Sequence, residues 1–429
     1  MILRARQFRW IAGSMVLLTS CSGSHNQSPP QAQIIKLWVA PNEAEESFWK
    51  VAVAQWNARG QGLQVSFTTI PTSGNSEETV LSALVAQTEP DVSTNIFSGF
   101  ALQLANLKQL EPLSSMPGYS DLIERRHMAK LIESWQINGT VYAIPFYSNP
   151  ALIWWRADIL AKYANHKVPR SYEDVYELSR RYAAAEHRYG FQVFAGRGWE
   201  DRWFDFIAYY YAASNGRAYI EKDKATYDNA DGLKVAAFID RMYEQGWTAA
   251  DFDAGDPLVS GMSAGAVHGP WDLGTFQRLF PETMKNIVVG PIISDAKPEA
   301  HTATFSDSKG IVIFRSSKVK REAFSFISWV LGDEHLNLLW LQMTGMMPAR
   351  DDLLHNPAFA DFFDTHPAAK VYASYVDVAF PPALNENTID IQKVMTQELV
   401  GPLVFRTKAP QAALDDAASH TNRILRTRQ

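Results

Sequence analysis

An α/β fold in two folded units is what this sequence predicts, and three observations carry the prediction. Strand-like and helix-like runs alternate between residues 34 and 107, the pattern of a βαβ sheet. The chain is 429 residues long, enough for two separate hydrophobic cores. Finally, the run from Tyr142 to Arg156 concentrates aromatic side chains and holds both Pro145 and Pro150. Proline removes a backbone donor, so this run reads not as an ordinary central strand but as two strands, Thr140 to Ile144 and Ala151 to Arg156, joined by a rigid crossing between the units.

The first unit opens on Ile34 to Val39, a near-continuous apolar run that suits a buried parallel strand. Phe48, Val51, Ala52 and Trp56 then fall at helical spacing, with Glu43, Glu45 and Glu46 at the positive helix start. Leu63 to Ile70 and Asp91 to Ile96 are the next strands, separated by a helix that Ser76 to Thr79 is expected to cap. In such a sheet the loops after the strands, at Asn42, Ser73 and Asn95, share one edge, where ligands of open α/β sheets sit. Beyond the crossing, Asp158 to Tyr163, Ser171 to Glu186, Asp201 to Ser214 and Asp231 to Gln245 read as helices. Gly190 to Phe194, Gly265 to His268, Ile287 to Pro291 and Gly310 to Phe314 read as strands. Helices at Arg321 to Leu331 and His335 to Met343 precede a turn-rich segment, Thr344 to Arg350, and a helical tail broken near Pro402 and Pro410.

Composition narrows the function classes. A net charge of −6, with no Lys/Arg stripe interleaved with aromatics, argues against nucleic acid. Thirteen Trp and 16 Tyr form a heavy aromatic load, of the kind that lines sites stacking on ligand faces. The single cysteine, Cys21, follows Arg4, Arg6 and Arg9, an apolar run too short to span a bilayer, and Leu18-Thr19-Ser20. That pattern resembles a bacterial lipoprotein signal, which implies cleavage before Cys21, its lipidation, and an exported chain held at the cell envelope by acyl chains. Ser22 to Gln33 then reads as a polar tether.

Three chemical signals compete. Gly261-Met262-Ser263-Ala264-Gly265 fits a nucleophile elbow, but that motif needs a strand before and a helix after, and Pro257 and Pro270 flank it too closely. The ten histidines have no metal-ligand spacing, and Asp251 to Asp256 lacks the closing glutamate of a calcium loop, so no metal or cofactor is expected. Carboxylates such as Glu43, Glu45, Glu77, Asp91, Glu200, Asp201 and Asp272 leave a glycosidase pair open. Aromatics beside small polar residues remain: Trp199 to Trp203, Gly269 to Asp272, and Tyr147 to Asn149. A Trp flanked by Gly, Pro and charge, as Trp271 is, is read as a site residue; Trp203 shares a helical face with Phe206, Ile207 and Tyr210 and is also a core candidate.

Several pieces, taken in order, resemble the extracellular solute-binding proteins of ABC importers, specifically the maltose- and trehalose-binding family. They are Leu37 to Glu43, Pro90-Asp91-Val92, Leu110 to Leu113, Asn138 to Pro145, Ala264 to Trp271 and Met347 to Arg350. The resemblance implies the type II periplasmic-binding-protein fold, two α/β lobes with a ligand cleft between them. Residues 34–148 with 302–344 would form lobe one, and 149–301 with 345–429 lobe two. It implies an oligosaccharide of the maltose or trehalose type as ligand, transmembrane permease subunits as partners, a monomer, and no catalysis. Asn42, Glu43, Asn95 and Ser98 would contact the sugar from lobe one, and Asn149 and Arg350 from the crossings. Trp271 and Trp199 would stack on it, with Asp272 beside them. His268 departs from the family, which has an apolar residue there. The alternatives are the same fold binding glycerol phosphate or another anion, for which Arg197, Arg202 and Arg350 are the candidate cations, and an exported glycosidase or esterase.

Overall fold

The computed structural model describes residues 33–71, 76–194, 199–252, 255–295 and 302–427, and the side chains of residues 199–202 are outside that description. The expected leader, Cys21, the expected tether up to residue 32 and the Ser73 loop therefore lie outside the described residues.

The first sheet is built on β1 (Ile34–Val39), which runs parallel to β2 (Gln64–Thr69) on one side and to β3 (Val92–Ile96) on the other. The helices Glu43–Arg59 and Ser76–Ala86 connect them, as the alternating pattern predicts. β4 (Ala143–Pro150) and β5 (Leu152–Arg156) follow almost without a break. β5 is the middle strand of a second, antiparallel sheet, between β6 (Gly265–His268) and β7 (Ile287–Gly290). The chain then returns to the first sheet as β8 (Thr304–Ile313), which lies antiparallel to both β3 and β4, and β9 (Ala379–Phe380) pairs with its start.

Each sheet has its own core. Around the first, Phe48, Phe146 and Trp340 meet at ring distances of 5.1 Å and 4.3 Å. Around the second, the helices Tyr172–Glu186, Trp199–Ser214 and Ala230–Glu244 pack on β5, with Tyr172 stacked on Phe238 at 4.5 Å. A third cluster joins Trp154, Phe276, Met347 and Tyr372. Most expected helices lie within a residue or two of their observed bounds. Ser171 is a true N-cap, with a reciprocal capping box to Asp174.

Two expectations need correction. Gly190 to Phe194 is no strand and makes only an isolated bridge, from Gln192 to Ala266, with another just before it at Tyr189. The crossing at Pro145 is not a break between strands, because β4 is continuous and buried along all eight residues. Pro150 is its last residue, and Pro145 stands beside an irregularity. Tyr147 pairs with Lys309 and Pro145 with Gly310, so Phe146 is the extra residue of a bulge. The bulge frees the Phe146 carbonyl from the ladder, and it accepts instead from Ala349 N–H at 3.1 Å and from Arg126 Nη2 at 2.5 Å.

The segment Met346–Ala349 lies against β4: Ser148 N–H donates to Met347 O, and Met347 N–H donates to Asn149 Oδ1, both at 3.0 Å. Arg126 ties these crossings together. Its guanidinium, fully buried, donates to Phe146 O, to Ala349 O at 3.2 Å, to Leu331 O at 2.7 Å and to Asn337 Oδ1 at 2.9 Å. Burial and the neighbouring Arg350 push its pKa down to about 9.

Arg126→Met keeps the apolar stem but leaves several buried carbonyls short of a donor. We expect a loss of about 3 kcal/mol in unfolding free energy, since hydrogen bonds to a charged group contribute roughly 1.5–3 kcal/mol each. Urea unfolding measures it, and an unchanged midpoint would show that the pin contributes nothing.

Candidate functional site

A cavity of about 720 Å³ opens between elements of the two sheets. Period-two geometry on β8 builds its floor. Phe305, Asp307 and Lys309 are alternate residues on one face, and all three line the cavity. The intervening Ser306 and Ser308 bond to each other at 2.6 Å, and Ser306 reaches Ser148 of β4 at 2.9 Å.

One wall is aromatic. The helix Trp199–Ser214 presents Trp203 and Phe204, and both rings meet Phe305 edge to face, at 5.3 Å and 4.9 Å. Phe204 in turn meets Trp271 at 6.1 Å with an interplanar angle of 80°. Trp271 sits in the short turn Pro270–Asp272 that follows β6. Gly269 makes room for it: a Cβ there would lie 2.0 Å from the indole, so any side chain would displace the ring. Phe97, beyond β3, stands near Lys309, whose ammonium lies 5.4 Å from the ring centroid.

The polar groups come from both sheets. Lys309 pairs with Asp307 at 3.2 Å. Burial works against the lysine's charge, but Asp307, Glu77 and Glu45 outweigh it and hold its pKa above the ordinary value. Gln192, Gln392 and His268 add hydrogen-bonding side chains, and Asp205 accepts from Phe194 N–H at 2.8 Å. Behind the floor lies Glu45, only 3 % exposed, whose Oε2 has no hydrogen-bond partner. Burial, with Asp307 adding to it and Lys309 opposing, pushes its carboxyl up to about 8.

Of the sequence-derived candidates, Trp271 and Asp272 line the cavity. Glu77 and Trp203, also singled out in the sequence, line it too, whereas Asn42, Glu43, Asn95, Ser98, Asn149 and Arg350 do not. Asn42 caps the helix Glu43–Arg59, its Oδ1 accepting from Ala44 and Glu45 N–H. Glu43 is exposed in the first turn of that helix. Asn95 donates to Ser76 Oγ at 3.1 Å, and buried Ser98 donates to Pro382 O at 3.2 Å. Asn149 is fully buried, and its oxygen holds Met347. Arg350 is buried in a bidentate pair with Asp352, at 2.8 Å for each bond. The Trp199, Arg197 and Arg202 side chains lie outside the described residues.

Ser263 is fully buried and donates to Gly265 O at 2.8 Å, so the elbow motif is a local turn rather than a nucleophile. Asp91 is likewise structural, accepting from Lys36 N–H and Ser317 Oγ. Among the described residues no cluster of three metal-ligating side chains occurs. Sequence reasoning missed Phe97, Phe204, Phe305, Asp307 and Lys309. The signal for the last three was available in the alternation of Thr304 to Lys309, which is polar on one face and mixed on the other.

The family model for bacterial extracellular solute-binding proteins matches residues 51–370. Among solved structures, an uncharacterized protein from Listeria monocytogenes EGD-e is 29% identical with a TM-score of 0.80, covering 92% of this chain and 100% of that one. The GacH receptor of Streptomyces glaucescens GLA.O, described unliganded and in complex with acarbose, is 17% identical with a TM-score of 0.77, over 92% of this chain and 99% of its own. The sugar-binding protein MalE from Xanthomonas citri is 19% identical with a TM-score of 0.77, over 92% and 98%. The fold is thus the two-lobe α/β fold of these proteins. The family, the GacH receptor and MalE are binding proteins rather than enzymes, which sets aside the hydrolase reading.

The buried Glu45 carboxyl gives a pH prediction. Its folded pKa is raised from 4.5 to about 8, so its stabilising contribution is complete below pH 4.5 and is lost as pH rises toward 8. Thermal melts of the protein and of Glu45→Gln should therefore diverge between pH 5 and 8, the glutamine variant becoming relatively more stable as pH rises. Parallel profiles would mean that Glu45 ionises freely in the folded state.

Proposed function

Because the chain belongs to the bacterial extracellular solute-binding proteins, we propose that it captures an oligosaccharide in this cavity and delivers it to the transmembrane permease of an ABC importer. The observation that carries the reading is the chain of rings Trp271–Phe204–Phe305–Trp203 beside hydrogen-bonding groups from β8 and β6. Sugar rings offer an apolar face to stack and a rim of hydroxyls to bond, and the cavity has both kinds of wall. Its volume of about 720 Å³ falls within the usual range for small-molecule sites. The acarbose and sugar ligands of the structural neighbours support the same ligand class.

An anionic ligand is disfavoured. Among the described residues of the cavity the only Lys or Arg is Lys309, already paired with Asp307, while Glu77, Asp205, Asp256 and Asp272 add negative charge. Arg350, a candidate cation by sequence, is committed to Asp352.

In this reading the division at residues 34–148 with 302–344, against 149–301 with 345–429, is the one about which the lobes close. The ligand touches both walls only when they are together, so binding shifts the population toward the closed form. The protein acts as a monomer tethered through lipidated Cys21. The chain would then lose palmitate labelling and membrane retention in Cys21→Ala, and full retention by that variant would refute the anchor.

Isothermal calorimetry with maltose, trehalose, cellobiose, chitobiose and raffinose tests the ligand class, and silence across the panel would end the sugar reading. Stacking that covers about 80 Å² of ring face is worth roughly 2 kcal/mol at about 25 cal/mol/Å². Trp271→Ala should accordingly weaken binding at least about tenfold, since about 1.4 kcal/mol is one decade. Unchanged affinity would make Trp271 a packing residue only.

A further inference from the structure

His268 closes β6 and lines the cavity. Its ring is held on three sides. It stacks on Trp154 at 4.5 Å with an interplanar angle of 16°, and meets Phe276 edge to face at 5.6 Å. Its Nδ1 lies 2.8 Å from Asp272 Oδ2. Trp154 is itself fixed, donating to Tyr372 Oη at 2.7 Å, and Tyr372 in turn donates to the His268 carbonyl at 3.0 Å. A ring clamped this way has one orientation. An ionised carboxylate only accepts hydrogen bonds, so in the neutral ring the proton sits on Nδ1 and Nε2 is an acceptor. Nε2 has no protein partner among the described contacts, and it is not among the fully enclosed unpartnered polar atoms.

We propose that His268 is a specificity-determining ligand contact whose Nε2 accepts a hydrogen bond from a ligand hydroxyl, with Asp272 and Trp154 as its positioning residues. The proposal rests on the carbohydrate reading and deepens it, because it names an acceptor that reads hydroxyl position one turn away from the stacking ring of Trp271. An acceptor of fixed direction rewards a hydroxyl that points toward it. A ligand that lacks the hydroxyl, or carries it on the opposite face, leaves the nitrogen unpaired and binds more weakly. Asp272 thereby acts through the histidine.

Three variants separate this role from a structural one, with the panel sugar of highest affinity for the unaltered protein as probe. His268→Phe keeps the stack on Trp154 and removes both nitrogens. His268→Gln places an amide oxygen or nitrogen near the position of Nε2, and His268→Asn near that of Nδ1. Calorimetry should show at least tenfold weaker binding for His268→Phe, a similar loss for His268→Asn, and affinity within about threefold of the unaltered protein for His268→Gln. Thermal melts alongside establish that each variant is folded. Binding by His268→Phe within twofold of the unaltered protein, or a better rescue by Asn than by Gln, would overturn the assignment and leave the sugar reading intact. No binding of any panel sugar to the unaltered protein would overturn both.

Discussion

Three passes of the chain lie side by side where the two sheets meet, and the molecule depends on how they are held. β4 and β8 share an antiparallel ladder, and the segment from Met346 to Ala349 runs along β4. A bulge at Phe146 releases one carbonyl from this arrangement, and the buried Arg126 guanidinium takes it up together with the carbonyls of Ala349 and Leu331. Several buried acceptors from distant parts of the chain thus share one cation. Leaving such groups unpaired in a low-dielectric interior is costly, so their geometry is strongly constrained.

The same passes set the cavity. Phe305, at the start of β8, and Asp307 and Lys309, within its ladder to β4, lie on one face, while Ser306 and Ser308 bond to each other and Ser306 to Ser148 of β4. β4 continues directly into β5, which places β6 and its terminal turn opposite. One side of the site is therefore an extension of the crossing, and the other hangs from the strand that follows it. A displacement of the crossing strands would move Asp307 and Lys309 relative to Trp271 and His268, which is the relative motion a closing cleft requires.

The cavity combines rings that pack on one another with polar groups already engaged. Lys309 with Asp307, Asp272 with His268, and Asp205 with Phe194 N–H keep some hydrogen-bonding capacity while their orientation is set by the protein. Preorganisation of this kind lowers the ordering cost of binding, and it lets modest contacts sum to useful affinity. Glu45 lies outside that pattern. It is buried behind Asp307 and Lys309 with one oxygen unpartnered, and its elevated pKa is the result.

Much of the fold was legible because periodicity and capping are local. The opening βαβ run, the helix that starts at Ser171 and the strand Gly265 to His268 all follow from neighbours a few residues apart. The prominence of Trp271 and Asp272 was legible too, since Gly269 and Pro270 mark a turn, and the glycine leaves room for the indole. By itself the sequence determined the class, the opening order of strands and helices and that one aromatic turn. Only the tertiary structure decided that Asn42 is a cap, that Asn149 and Arg350 serve the crossings, and that Phe305, Asp307, Lys309 and His268 face the cavity. The reason is physical: whether a polar side chain meets a ligand or a backbone group depends on which unpaired groups the rest of the chain brings within hydrogen-bonding reach of it, and those groups lie as many as 223 residues away.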